Sequence, residues 1–345
     1  LFRFPGVHRS TTTTKLRFAN LLLAFVLAAG PCQRAGGGER PAIPATSGTG
    51  STMTGNEQLE DALKRHVAAL TVDIGERTSF LPDKLARARE YVRDELANAG
   101  LEVTEQGYDY RGQRVANLIA ALPGASMAKK YYLVGAHYDT VPGTPGADDN
   151  ASAVAVLIEL GRRVAESPPP IPLRLVAFTL EEPPAFNTRF QGSRVFVRQL
   201  KRGGGGVKGA IILEMVGFTA AEQDYPLVLH WIGYPKEGNF IGIVGNRRSR
   251  RLGRALAKGF GDNPRLPVET LFVPFNGWIL PATRLSDHAP FWDAGLPALM
   301  VTDTAFFRNP FYHTALDRME TLDFAFMAEV VASLRSALDT LPPGE

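Results

Sequence analysis

Cysteine is nearly absent from this chain. Cys32 is the single one among 345 residues, so no intramolecular disulfide can form and stability must come from a packed core. Long apolar runs are missing as well. The run at residues 18–29 covers 12 positions and is interrupted by Asn20, short of the roughly 20 residues that a membrane-spanning helix needs. A strong charge of one sign is also missing from most of the chain. Residues 1–40 carry six Lys/Arg and one acid, whereas the remainder carries 32 basic and 34 acidic side chains. The net +3 therefore originates at the start, and the nearly neutral body argues against a nucleic-acid-binding surface. No internal repeat is present. Gly203–Gly206 is not followed by the Lys-Ser/Thr of a phosphate-binding loop, and no G-x-S-x-G elbow of a serine hydrolase occurs.

What is present at the start is a patterned leader. Arg3, Arg9, Lys15 and Arg17 precede the apolar run, and Ala28, Ala29 and Gly30 follow it as small residues suited to cleavage. Residues 1–32 are therefore expected to be an export signal, with the protein periplasmic or extracellular. Cys32 sits where a lipoprotein signal has its acylated cysteine, although Pro31 stands where such signals have a small residue. Membrane attachment is expected only if Cys32 is lipidated. Residues 33–56, rich in Gly, Ser, Thr and Pro, are expected to form a flexible linker.

Periodicity changes at Glu57. Leu59, Leu63, His66 and Leu70 recur at helical spacing, and a second helix is expected over 82–99, with Gly100 closing it. Strands are expected at 101–110, 113–121 and 130–136, then a helix at 151–166 stopped by Pro168–Pro170. Further strands are expected at 173–180, 207–213, 241–244, 268–273 and 298–301. Further helices are expected at 192–201, 249–260 and 322–341. Strands alternating with helices predict an α/β fold, a three-layer α/β/α sandwich around a mostly parallel mixed sheet. Residues 57–341 would form this one domain.

The polar residues concentrate where apolar strands end. His137-Tyr138-Asp139 follows YYLVGA, Glu181-Glu182 follows LRLVAFTL, and Glu214 follows GAIIL. Asp148-Asp149 lies at a turn into a helix, and Tyr312-His313 comes late in the chain. Each alone has an ordinary reading, such as a helix cap or a solvated loop. Together they would place several repelling carboxylates at one sheet edge, a cost that a divalent cation removes.

In order and local wording this pattern resembles the family-28 metallopeptidases, the di-zinc aminopeptidases of the zinc exopeptidase group. The resemblance covers nearly all of 57–341, and HYDTVPGTPGADDNAS and TLEEPP are its most specific phrases. It implies that His137 and Glu214 hold one zinc, Glu182 and His313 the other, and that Asp149 bridges both. Asp148 would be a neighbour only. Asp139 would orient His137, Glu181 would be the general base and acid, and Tyr312 would donate to the tetrahedral oxyanion. The resemblance also implies a cis peptide after Asp149. The Ser286-Asp287-His288 segment would support the fold or the ligands rather than form a serine triad, with Asp287 behind the ligands. Two departures stand out: Ala153 replaces a usual glycine, and Glu214 stands where some relatives have Asp. Neither removes a ligand.

Substrates implied are peptides with a free N-terminus. Phe306, Phe307, Phe311, Phe275 and Trp278 are candidates for an apolar side-chain pocket, and equally for core residues. The alternatives are a mono-zinc glutaminyl cyclase-like acyltransferase on the same fold and a non-catalytic binding ectodomain. The ligand pattern alone does not separate aminopeptidase from carboxypeptidase or dipeptidase specificity.

Overall fold

The computed structural model describes residues 54–125, 128–203, 206–225 and 233–342. The expected leader, Cys32 and nearly all of the expected linker lie outside these residues. The linker ends earlier than expected, because helix α1 (Gly55–Ala68) already begins at Gly55. Thr54 and Glu57 form a reciprocal cap there: the Thr54 side chain accepts the Glu57 amide and the Glu57 carboxylate accepts the Thr54 amide.

Helix α2 (Pro82–Asn98) opens on Pro82, whose missing N–H costs nothing in a first turn. Strands β1 (Glu102–Tyr110) and β2 (Gln113–Ala121) make an antiparallel hairpin. Then come β3 (Lys130–His137), α3 (Ala153–Glu166), β4 (Leu173–Phe178) and α4 (Gly192–Arg202). After β5 (Gly206–Leu213) follow β6 (Ile241–Asn246), α5 (Arg250–Gly261) and β7 (Val268–Val273). The short α6 (Ala289–Asp293), β8 (Ala298–Thr302) and α7 (Phe324–Thr340) complete the chain. Only α6, too short for a periodic signal, was not legible in the pattern.

The eight strands form one sheet in the order β1-β2-β4-β3-β5-β8-β6-β7. Its centre, β4-β3-β5-β8, is parallel, while β6 runs antiparallel to β8. Alternate residues of β3 serve the two faces. Tyr132, Val134 and Ala136 join the larger core beneath α1, α2, α3, α5 and α7, and Tyr131 and Leu133 join a second core beneath α4 and α6. The expected three-layer α/β/α sandwich with a mixed sheet is therefore the fold. From β3 the chain passes to β4 on one side and then to β5 on the other. That reversal makes the carboxyl end of β3 a topological switch point, where a doubly wound sheet opens a crevice. His137 is the last residue of β3.

Candidate metal centre

The crevice collects the predicted residues from separate elements. His137 ends β3, Glu181 and Glu182 follow β4, and Glu214 follows β5. Asp149 lies in the widened turn Ala147–Ser152 that leads into α3, and its peptide bond to Asn150 is cis, as expected. His313 arrives from the loop after β8. His137, Asp149, Glu181, Glu182 and Glu214 are buried, while the His313 side chain is about one-third exposed (31%).

Two sets of three ligand atoms that share Asp149 converge, and a third combination, His137 with Glu181 and Glu182, lies within the same reach. His137 Nε2 lies 3.3 Å from Asp149 Oδ1 and 3.5 Å from Glu214 Oε1. His313 Nε2 lies 3.1 Å from Asp149 Oδ2 and 3.4 Å from Glu182 Oε1. Atoms bound tetrahedrally to one zinc at about 2.0–2.1 Å sit roughly 3.3–3.4 Å from one another, which the histidine-to-carboxylate distances of both sets match to within a few tenths of an ångström. His137 Nε2 and Asp149 Oδ1 are also buried without a hydrogen-bond partner, a costly state for two polar atoms unless a cation lies between them. The residues present therefore fit zinc, with Asp149 offering one oxygen to each set. Glu181 Oε2 stands 3.9 Å from His137 Nε2, beside the centre.

Groups not anticipated from the sequence hold this arrangement. The Asp317 carboxylate accepts the amides of Asp148 (2.9 Å) and Asp149 (3.1 Å), fixing the bridge. Asn150 accepts the Met215 amide and donates to the Leu213 carbonyl, which clamps the backbone on both sides of Glu214. Arg77, fully buried, donates to the carbonyls of Tyr138, Pro145 and Gly146. Leu180, Met215 and His313 adopt left-handed backbone at φ 57°, 49° and 58°, a conformation that costs non-glycine residues about 1–3 kcal/mol each and clusters at functional sites. Asp303, just beyond β8, accepts the amides of Phe218 and Ala305, and as a carboxylate at a strand end it could have been found by the same rule. Arg77 and Asp317 carried no such signal.

Three expectations are refined by the geometry. Asp139 meets His137 Nδ1 through its main-chain carbonyl at 3.2 Å, with its carboxylate at 3.7 Å. That carboxylate accepts the amides of Glu181 and Glu182 (3.0 and 3.1 Å), so it shapes the β4 loop as well. Asp287 accepts from Gln191 and Ser193; the contact with a ligand is made by its neighbour Ser286, which donates to Glu214. Because His288 Nε2 bonds the Thr283 carbonyl, the segment is no serine triad. Asp148 turns away from the centre, accepting from Gly217 and Asn309.

Burial and close carboxylates set the electrostatics of these residues. Burial, reinforced by Glu214 and Glu182, pushes the Glu181 carboxyl well above its usual range despite His137. Burial and Asp149 push Glu182 up to about 8. Although burial opposes it, hydrogen bonding to His137 and His313 holds Asp149 below the ordinary carboxylate value. The Tyr312 phenol is pushed upward by burial and by the nearby carboxylates, which keeps it a donor at neutral pH. Its ring stacks on His313 with centroids 3.7 Å apart.

Beside the centre opens a cleft that shares Glu214 and Tyr312 and is walled by Phe306, Phe307, Phe240, Ile243, Leu271 and Met300. Phe306 and Phe307 are thus pocket residues as expected. Phe311 instead packs edge-on against Phe218, and Phe275 and Trp278 lie on the surface at 71% and 65% exposure. They sit in the connection after β7, whose turn at Phe275-Asn276 carries them outward.

Known proteins share the fold and the family of this chain. The chain is 35% identical over 283 residues to "Uncharacterized protein YfbL" of Escherichia coli, covering 79% of this chain and 85% of that one. It is 27% identical to a "Probable leucine aminopeptidase" of Arthroderma otae, covering 62% of this chain and 53%, about half, of that one. Among solved structures, the LapA aminopeptidase of Legionella pneumophila has a TM-score of 0.62 at 19% identity (85% of this chain, 76% of that one). Tannerella forsythia glutaminyl cyclase has 0.60 at 18% (83% and 99%). At these identities the two structures speak for the fold alone. The family model described as "Peptidase family M28" matches residues 117–337. That span runs from β2 into α7 and holds every residue of the centre, and the chain belongs to this family of peptidases.

Proposed function

We propose that this protein is an exported di-zinc aminopeptidase that removes N-terminal residues from peptides. The observation that carries the reading is the split of Asp149, Oδ1 toward His137 and Glu214 and Oδ2 toward Glu182 and His313. Zinc in such paired sites supplies Lewis acidity, acidifying water and polarising the scissile carbonyl. Glu181 accepts the proton of the attacking water and returns it to the leaving amine. Its burial beside the ligands shields the proton that it carries between the two steps. Tyr312 donates a hydrogen bond to the carbonyl oxygen as it gains negative charge. The surrounding carboxylates receive the free α-ammonium, and the apolar cleft takes the first side chain, favouring Leu-like residues.

The direct test is hydrolysis of amino-acid anilides by wild type and Glu181→Gln with zinc content measured in both. Retained zinc with activity reduced by orders of magnitude supports the role of Glu181, and equal activity removes it. Cleavage of Leu-anilides no faster than of Glu- or Lys-anilides removes the apolar preference alone.

A second reading is favoured by the likeness to glutaminyl cyclases. In it, one zinc per chain serves ring closure of N-terminal glutamine. Two complete ligand sets, with Glu181 beside them, support the peptidase instead; one zinc per chain together with cyclisation would reverse the choice. Export is supported by the leader pattern of residues 1–32 alone. Sequencing the mature N-terminus, and a lipid label that Cys32→Ser abolishes or leaves intact, test export and lipidation separately.

A further inference from the structure

The nearly neutral body hides a separation of charge between its two ends. The parallel strands β3, β4, β5 and β8 aim their carboxyl ends at the acidic centre. Because β6 runs antiparallel to β8, it finishes at the opposite end, beside the starts of β3, β5 and β8. Arg247, Arg248, Arg250 and Arg251 follow β6 at once, and Arg254 and Lys258 continue the row along α5. All six are exposed, and among the described residues none forms an ion pair. The Ser249 hydroxyl accepts the amide of Ala298 (3.0 Å), which pins this turn to the start of β8. The eight residues of β5, at about 3.3 Å each, put the cationic end roughly 25 Å from the metal centre.

Local structure does not explain these cations. Arg250 and Arg251 occupy the first turn of α5, where the helix dipole already places positive charge. Arg247 and Arg251, Arg250 and Arg254, and Arg254 and Lys258 are like-charged neighbours four residues apart, which repel along a helix. The buried face of the helix, Leu252, Leu256 and Phe260, needs none of them. No large apolar side chain is exposed between residues 247 and 258, so the patch offers neither a wedge for insertion into lipid nor an aromatic platform for stacked bases.

We propose that this end of the protein docks electrostatically on an anionic phospholipid surface, leaving the metal centre turned toward solution. The row of guanidinium groups matches phosphate headgroups, which take two parallel N–H donors from each. Flat adsorption needs cations at an exposed end of the molecule rather than in a groove, and Arg247, Arg248, Arg250 and Arg251 stand at that end, while Arg254 and Lys258 follow α5 as it returns toward the start of β7.

The test is co-flotation of the full chain with vesicles of phosphatidylcholine containing one-third phosphatidylglycerol, and with pure phosphatidylcholine vesicles as the neutral arm. R247E, R248E, R250E and R251E combined should lower partitioning onto the anionic vesicles by at least a hundredfold, from about fivefold per cation removed. The leader's own cations are common to both proteins and cancel in the comparison. Wild-type binding should vanish at about 1 M salt, where the Debye length is about 3 Å. Unchanged thermal unfolding shows that the variant is folded, and the corresponding four Arg→Gln changes serve if the reversal is not. Partitioning equal to wild type in the folded variant, or equal binding to neutral vesicles, overturns the proposal. So does tighter binding of a DNA duplex than of the vesicles when lost in the same variant, which would assign the surface to nucleic acid.

Discussion

Ser286 Oγ donates a 2.6 Å hydrogen bond to Oε2 of Glu214, 72 residues away in the chain, and leaves Oε1 facing His137 Nε2. A ligand carboxylate held by one oxygen presents the other at a fixed angle. Removing such a support typically costs about 10–100-fold in metal affinity. Ser286→Ala should therefore weaken zinc binding by that factor while the protein stays folded, as measured by competition with a chromophoric chelator. Unchanged affinity would show that Glu214 is positioned by its backbone alone.

Gly146 precedes the turn that carries Asp149 and has a left-handed backbone at φ 62°. A Cβ there would lie 2.4 Å from the Asp149 carbonyl oxygen and 2.5 Å from Thr140 Cγ2. Arg77 Nη2, which donates to the Gly146 carbonyl, would also lie 3.3 Å from that Cβ, so the turn cannot yield without moving the bridge. Gly146→Ala should cost about 3 kcal/mol and also reduce zinc content. Denaturant unfolding with metal analysis checks both, and an unchanged midpoint would contradict the crowding.

Metal removal should destabilise the protein. Without a cation, five buried acidic and imidazole groups face one another, and burial already drives the Glu181 and Glu182 carboxyls upward. Zinc at about a hundred times its dissociation constant should add about 2.7 kcal/mol per site. Melting of chelator-treated protein before and after zinc addition reads this, and a calorimetric titration should saturate at two ions per chain. A melting temperature indifferent to zinc would mean that the sites do not fill.

His288 should impose its own pH dependence on stability. Burial lowers its pKa to about 4 from an ordinary 6.5, although its bond to the Thr283 carbonyl pulls upward. The unfolded chain therefore takes up the proton first as pH falls. The contribution of His288 is complete above about pH 6.5 and is lost progressively toward pH 4, about 3 kcal/mol at most. Asp287, pushed up to about 7 by burial, acts with the opposite sign, so wild type must be compared with His288→Gln. The variant should lose the steep acidic limb of stability between pH 6.5 and 4, and equal slopes would argue against a neutral buried imidazole.

Much of the fold was legible because its signals are local. Alternating and apolar runs marked β1 through β8 to within a few residues, and Thr54–Glu57 is a capping pair readable without coordinates. The linker boundary was misjudged because a Gly-Asn start looks like more linker until the cap is noticed. The pocket was half legible for a different reason. Phe306 and Phe275 are both aromatic residues in loops, and nothing local tells that one lines the cleft while the other faces solvent.

The chain by itself determined which side chains stand at the strand ends, since apolar periodicity ends where His137, Glu181 and Glu214 begin. Only the tertiary structure decided how they are shared. Asp148 and Asp149 are chemically identical neighbours. One turns to Asn309 and Gly217, and the other faces both histidines, because Asp317 grips their amides from another loop. The placing of the Arg247–Arg251 run at the end opposite the metal centre depends likewise on the reversed direction of β6. Both outcomes rest on contacts between segments distant in the chain, which no run of neighbouring residues encodes.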